Sequence, residues 1–211
     1  MLFFERQIQN ADDISKKHAE GHQVIYATVV KVTDGDTIRV RHIPNYPFGI
    51  SKSLEYSGKL SDNTISVRLY GVDCPETAKF GNPAMPFATE ATDYIKLRTK
   101  CYDKKDNPSG TPNRGDVVRI KLLSKDQYGR VIAKVKVNQF GWLFQKSDLS
   151  LDLLDQGYAT VYTGGGAQYD NKKDQMMKAL QHAQKKKKGM WCNGISAVQT
   201  PAEYKQATKK R

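Results

Sequence analysis

Five short β-branched runs, with one helical segment set among them and two more after them, predict an α+β chain: a five-stranded OB-type β-barrel with about three helices. The runs are Val24–Val32, Thr37–Arg41, Thr64–Leu69, Val117–Leu122 and Val131–Val137, each rich in Val, Ile or Thr and closed by turn or charged residues. A helical period enters only between the third and fourth runs and after the fifth. At 211 residues, 38% of them hydrophobic, the chain fills one core of ordinary size and needs no second. The expected organisation is an N-terminal arm at 1–22, the barrel domain at 23–193 and a basic C-terminal tail at 194–211.

Residues 5–22 are polar, carry both signs of charge and lack a period, so they read as a short helix or a loosely attached arm. The first strand turns at Asp34-Gly35 into the second, which puts Asp36 at a hairpin end, where a carboxylate can face a metal without being buried. Residues 44–63, rich in Pro, Gly, Ser and Asn, form a polar loop before Thr64–Leu69 returns the chain to the rim that holds Asp36. Past Glu76 a loop leads to Pro86, suited to the first turn of a helix running to about Arg98 with Phe87, Ala91 and Ile95 inward. Residues 103–115 read as a surface loop, and Asp126 to Arg130 as the connection between strands four and five. A second helix, about 148–156, is closed by Gly157. A third, about 170–187, aligns Met176, Leu180 and Ala183 on one face, where methionines suit a core better than a cofactor.

The formal charge is +12, from 34 Lys and Arg against 22 Asp and Glu, which points first to a polyanionic partner or an acidic surface. Basic ribosomal and membrane-surface proteins share that property. Much of the excess lies in Lys172, Lys173, the run Lys185–Lys188 and Lys209–Arg211, and the run reads as a solvated helix end whose cations complement the dipole. Cys74, Cys101 and Cys192 form no Cys-x-x-Cys pair, which argues against a zinc site or a disulfide framework and for free thiols in a reducing compartment, with at most one pair bridged. His18, His22, His42 and His182 form no cluster, which speaks against a histidine base and places them on the surface or in loops. No stretch reaches the length of a membrane span, and Glu5 and Arg6 follow Met1 to Phe4 too soon for a signal peptide.

Three bursts of charge end β-branched runs: Asp34-Gly35-Asp36-Thr37, Arg68-Leu69-Tyr70-Gly71-Val72-Asp73-Cys74-Pro75-Glu76-Thr77, and Asp126-Gln127-Tyr128-Gly129-Arg130. Each alone is ordinary turn chemistry. Together they place three carboxylates (Asp36, Asp73, Glu76) and two arginines (Arg68, Arg130) on the rim of a sheet. Carboxylate oxygens suit a hard cation such as Ca²⁺, and two guanidiniums suit a phosphate that gains charge, the requirements of metal-assisted phosphodiester cleavage. In this order and spacing the segments resemble the signature of the staphylococcal nuclease (thermonuclease) family: a DGDT turn, an R-x-x-x-V-D-x-P-E-T segment and a D-x-Y-G-R segment. The likeness runs from about Val24 to about Trp191. Gly189-Met190-Trp191 and Thr200-Pro201-Ala202-Glu203-Tyr204-Lys205 resemble most the fungal, mitochondrion-associated branch.

The resemblance implies a monomeric, Ca²⁺-dependent endonuclease of DNA or RNA that leaves 3′-phosphates and 5′-hydroxyls by in-line attack of water at the metal site. It implies Asp36 and Asp73 as direct metal ligands and the Cys74 carbonyl as a third, with Glu76 orienting or deprotonating the water. Arg68 would grip the phosphate, and Arg130 would meet charge developing at the leaving oxygen. The fungal branch implies association with mitochondria, its members carrying an N-terminal anchor. Departures from the pattern are Gln127, where the prototype has a lysine on a terminal phosphate, and the 44–63 loop, longer than the prototype's turn. Tyr162, in the segment Thr160 to Gly166, is the candidate for a phosphate-contacting tyrosine, within one residue. Tyr128 matches the pattern and packs either beside the nucleotide or in the interior. The principal rival is a barrel of the same family that has lost activity and holds nucleic acid or protein, but such a module has no physical need to keep five charged groups converged. A basic structural or membrane-surface protein would explain the lysines and not the carboxylates.

Overall fold

Ile25, Ala27 and Val29 are wholly buried on the first strand, the two-residue period that turns one face of a strand to a core. The computed structural model describes residues 7–15, 21–46, 58–79, 81–102, 115–138 and 146–209. In chain order its strands are β1 (Val24–Asp34), β2 (Thr37–His42), β3 (Ile65–Leu69), β4 (Val72–Asp73), β5 (Val117–Lys125), β6 (Val131–Asn138), β7 (Lys146–Asp148) and β8 (Thr160–Val161). β1 pairs antiparallel with β2 and β5, β2 with β3, and β5 with β6. β3 then runs parallel to β6, which closes these five strands into the predicted barrel. β7 extends the sheet beside β6, and β4 with β8 makes a separate ribbon, pieces too short to leave a period in the sequence.

The α-helices among the described residues are α1 (Ala88–Thr99), α2 (Leu149–Asp155), α3 (Lys173–Lys185) and α4 (Pro201–Lys209). The first three match the predicted helices. α1 begins two residues after Pro86, because Phe87 is held left-handed at φ 67°. The Phe87 side chain therefore leaves the inner face of α1 and packs on a second cluster of Ala183, Met190 and Trp191. Ala91 and Ile95 do face the barrel core. 

Three readings are corrected. Of the two N-terminal readings, the short helix is present as a 3-10 turn at Ala11–Asp13, but the arm is not loosely attached, since Ile14 is buried in the barrel core and the Ile8 N–H donates to Nδ1 of His42 at 3.0 Å. His42 is thus a buried residue, not a surface one. The C-terminal segment is no open tail: Val198 packs on the Trp191 cluster and α4 follows it. The cysteines are free thiols, Cys74 and Cys101 buried and Cys192 exposed. Among the described residues no helix is long and apolar enough to cross a membrane. Residues 103–114, His18, Lys210, Arg211 and most of the 44–63 loop lie outside the described residues.

Candidate active site

Strand register gathers the first two charged bursts. Thr37 of β2 stands opposite Arg68 of β3, and Arg68 opposite Ile132 of β6, while the Leu69 N–H donates to the Asp36 carbonyl at 2.8 Å. The chain reverses at Tyr70-Gly71, where Gly71 has φ 66° and a Cβ would stand 2.6 Å from the Met176 sulfur of α3. The reversal lets β4 pair with β8 and brings Asp73 back beside Arg68. At Gly35 a Cβ would stand 2.9 Å from the Cβ atoms of both Cys74 and Ala91, so the β1–β2 turn can lie against this segment only without a side chain. Behind the reversal, Tyr70 donates to Asp148 at 2.6 Å, and Lys134 pairs with Asp170 at 2.8 Å, tying the motif to α2 and the chain before α3.

Arg68 is the hub. Its Nη2 lies 3.3 Å from Asp36 Oδ2 and 3.0 Å from Asp73 Oδ1, and donates to the Val72 carbonyl at 3.2 Å. Burial would lower the Arg68 pKa, but the charges of Asp36 and Asp73 outweigh it and hold the guanidinium firmly charged. Contrary to the expectation of an unburied hairpin-end carboxylate, Asp36 is buried against Arg68 and the β1–β2 turn, and burial pushes its pKa above the ordinary carboxylate range, with Arg68 opposing. Thr37 connects the third burst: its hydroxyl donates to Asp36 Oδ1 at 2.9 Å and accepts from Arg130 Nη1 at 3.3 Å. Asp126 aims Arg130 by accepting its Nε at 2.7 Å, and its other oxygen takes the N–H groups of Tyr128 and Arg130 at 2.9 Å each.

Of the predicted residues, Asp36, Arg68, Cys74, Glu76, Gln127, Arg130 and Tyr162 line one cleft of about 1590 Å³, whereas Asp73 is buried beside Arg68 and is not part of the lining. Tyr128 also lines it and is 73% exposed, so interior packing is excluded. Its ring lies 5.6 Å from the Arg130 guanidinium carbon, and the Tyr162 ring 5.4 Å from that of Arg68. Tyr162 is held there by its N–H to the Gly71 carbonyl at 3.0 Å and by the Tyr169 hydroxyl on its own carbonyl at 2.7 Å. The Cys74 thiol is buried, which pushes its pKa well up, so the group Cys74 can offer is its main chain.

Sequence reasoning missed three participants. Thr37 and Asp126 were visible only as parts of motifs. Lys205 was read as tail, yet its ammonium lies 2.7 Å from Asp73 Oδ1 and 2.9 Å from Glu76 Oε1. Burial would lower the Lys205 pKa, and Asp73 and Glu76 raise it above its ordinary value. The signal that could have found α4 is the Thr200-x-x-Glu203 capping box.

Among the described residues no three Asp, Glu, His or Cys side chains gather tightly enough to hold a metal by themselves. The donor chemistry nonetheless fits Ca²⁺: Asp36 and Asp73 are hard oxygen donors brought to one Arg68 nitrogen, and a main-chain carbonyl and waters would complete so adaptable a shell.

Residues 66–193 match the family model described as staphylococcal nuclease homologue. The chain is 35% identical over 95% of its length to endonuclease Htp3 of Saprolegnia parasitica, covering 84% of that protein. It is 34% identical over 95% of its length to the probable endonuclease LCL3 of Schizophyllum commune, covering 66% of it. To the probable endonuclease LCL3 of Komagataella phaffii it is 36% identical over 88% of its length, covering 76%.

Proposed function

The chain belongs to the staphylococcal nuclease homologue family, and from that premise we propose that it is a Ca²⁺-dependent nuclease hydrolysing phosphodiesters of DNA or RNA and leaving 3′-phosphates. The observation that carries this reading is the convergence of Asp36, Arg68, Asp73 and Glu76 at one end of the cleft, with Arg130 joined to them through Thr37. A phosphodiester is shielded by its own charge, so a catalyst must neutralise it, place a water in line and stabilise the added charge of the transition state.

Asp36, Asp73 and the Cys74 carbonyl would hold Ca²⁺, which when bound supplies Lewis-acid polarisation of the phosphate. Arg68 is charged and fixed by two carboxylates, so it presents its remaining donors to a phosphate oxygen without reorganising. Arg130, aimed by Asp126, approaches from the adjacent strand connection, where charge grows on the leaving oxygen. Glu76 is 27% exposed, with one oxygen on Lys205 and a second able to take a proton from water. Tyr128 and Tyr162 offer ring faces and hydroxyls to the nucleotide, and Gln127 an amide where the family prototype has a cation. A binding module would gain nothing from burying carboxylates beside one another, which raises the Asp36 pKa.

The test is degradation of single-stranded DNA, duplex DNA and RNA with Ca²⁺, with Mg²⁺ and with chelator. Activity should require Ca²⁺, and Mg²⁺, with its small octahedral shell, should restore it poorly. Arg68→Ala and Arg130→Ala should each lower kcat/KM by more than about a hundredfold in a folded protein. Full activity in excess chelator would refute the metal requirement, and near-normal rates in either variant would remove that arginine from the chemistry.

A further inference from the structure

The C-terminal helix delivers one residue into the cleft by a route fixed at several points. Thr200 and Glu203 cap each other, the Thr200 N–H donating to Glu203 Oε2 at 2.7 Å and the Glu203 N–H to Thr200 Oγ1 at 3.3 Å. Pro201 occupies the first turn, where its missing N–H costs nothing. Val198 anchors the approach on the Trp191 cluster, and the Tyr204 hydroxyl donates to the Pro83 carbonyl at 2.6 Å. Lys205 follows at once and bridges Asp73 Oδ1 and Glu76 Oε1. Among the described residues Glu76 has no other ion-pair partner.

We propose that Lys205 is a positioning residue of this active site, its ammonium fixing the Glu76 carboxylate against Asp73 so that the base is already aimed when substrate arrives. The inference rests on reading the cleft as a nuclease site. A glutamate on a loop has three side-chain torsions, and leaving them free would add their ordering to the barrier of the chemical step. An ammonium carries three N–H donors, and two are directed at these carboxylates. At 36% exposure the third can still meet a water or a phosphate oxygen. A lysine merely solvating a helix end would not sit between a proposed metal ligand and a proposed base.

The experiment uses the full chain: wild type, Lys205→Ala, Lys205→Arg, Tyr204→Phe, Glu76→Gln and the Glu76→Gln/Lys205→Ala double variant. Turnover of single-stranded DNA is measured at saturating Ca²⁺, and binding of Ca²⁺ alone by calorimetry. Lys205→Ala should lower kcat about tenfold or more with KM within about threefold, and Lys205→Arg should recover most of it. The double variant should be no slower than Glu76→Gln, because Lys205 acts through Glu76. Ca²⁺ affinity should not weaken in Lys205→Ala, so the loss is not loss of metal. Tyr204→Phe leaves every charge in place and should lower kcat in the same direction by less, which carries the test if the alanine variant does not fold. Unchanged or raised kcat with tighter Ca²⁺ binding overturns the proposal and makes Lys205 a stand-in cation that the metal evicts. Equal losses in Ala and Arg, additive with Glu76→Gln, overturn it in favour of a helix anchor. Wild type inactive with Ca²⁺ would refute the nuclease reading itself, whereas active wild type with unaffected Lys205→Ala removes only this inference.

Discussion

His42 is 1% exposed although nothing in its sequence setting marks it, because it closes β2 and accepts the Ile8 N–H on Nδ1. That bond requires the neutral ring, and burial lowers the His42 pKa to about 4. The folded value lies below the unfolded one, near 6.5, so as pH falls through 6.5 the unfolded chain takes up the proton first. The contribution of His42 is therefore present above pH 6.5 and lost progressively down to about pH 4. At about 1.4 kcal/mol per pH unit, the loss across that window is up to roughly 3 kcal/mol. His42→Asn cannot titrate, so in denaturant melts at pH 7 and pH 4.5 it should be less stable than wild type at the first and close much of the gap at the second. A gap independent of pH would mean the imidazole is not held neutral. The contrast with the candidate site is chemical. Asp36, Asp73, Glu76, Arg68 and Arg130 could be picked out as a candidate set because few reactions need that set of groups, and the fold does bring them together, whereas a histidine's burial depends on the Ile8–His42 contact, 34 residues apart in sequence.

The element that holds the site's shape is the reversal at Gly71, packed on α3 through Met176. An alanine there would suffer the left-handed φ of 66°, at about 1–2 kcal/mol, and would press on the Met176 sulfur, at about 1–3 kcal/mol more. Gly71→Ala should thus destabilise the fold by roughly 2–5 kcal/mol and lower kcat/KM as well, since Asp73 is two residues on. In a Met176→Ala background the two closest contacts of the added methyl are gone and only the Gln168 carbonyl, at 3.2 Å, remains near it, so the cost should shrink towards the backbone strain. Equal costs in both backgrounds would show that the methionine is not what the glycine accommodates. Strands and turns of this kind were readable from period and turn residues, as were the apolar faces of α3 and, Phe87 apart, of α1. What a single sequence does not carry is which face meets which turn. α4 is the clearest case, because its cap is local, but its destination rests on Tyr204 reaching Pro83, 121 residues away, and Lys205 reaching Asp73, 132 away.

At the scale of the molecule, a chain of net charge +12 gathers Asp34, Asp36 and Glu76 along its cleft, with Asp73 buried and paired to the cleft residues Arg68 and Lys205. The excess cations favour approach of a polyanion, while Arg68, Lys79 and Lys205 offset the acids locally. For Asp36 the offset is incomplete. Burial raises its pKa despite Arg68, and a carboxyl with a raised folded pKa subtracts from stability once it is ionised at neutral pH. Asp36→Asn removes that charge at nearly constant shape, keeps an oxygen for the Thr37 hydroxyl and leaves Arg68 its pair with Asp73. In chelator the variant should therefore melt at or above wild type, by the order of 1 kcal/mol. Ca²⁺ with a nucleotide should then stabilise wild type and do far less for Asp36→Asn, since ligand binding to the native state alone is what shifts the melt. The measurement is a pair of thermal melts, each with and without Ca²⁺ and nucleotide. A variant melting well below wild type in chelator would mean that Asp36 is a structural carboxylate, held for its bonds to Thr37 and Arg68. Equal ligand-induced shifts would mean that it does not bind the metal.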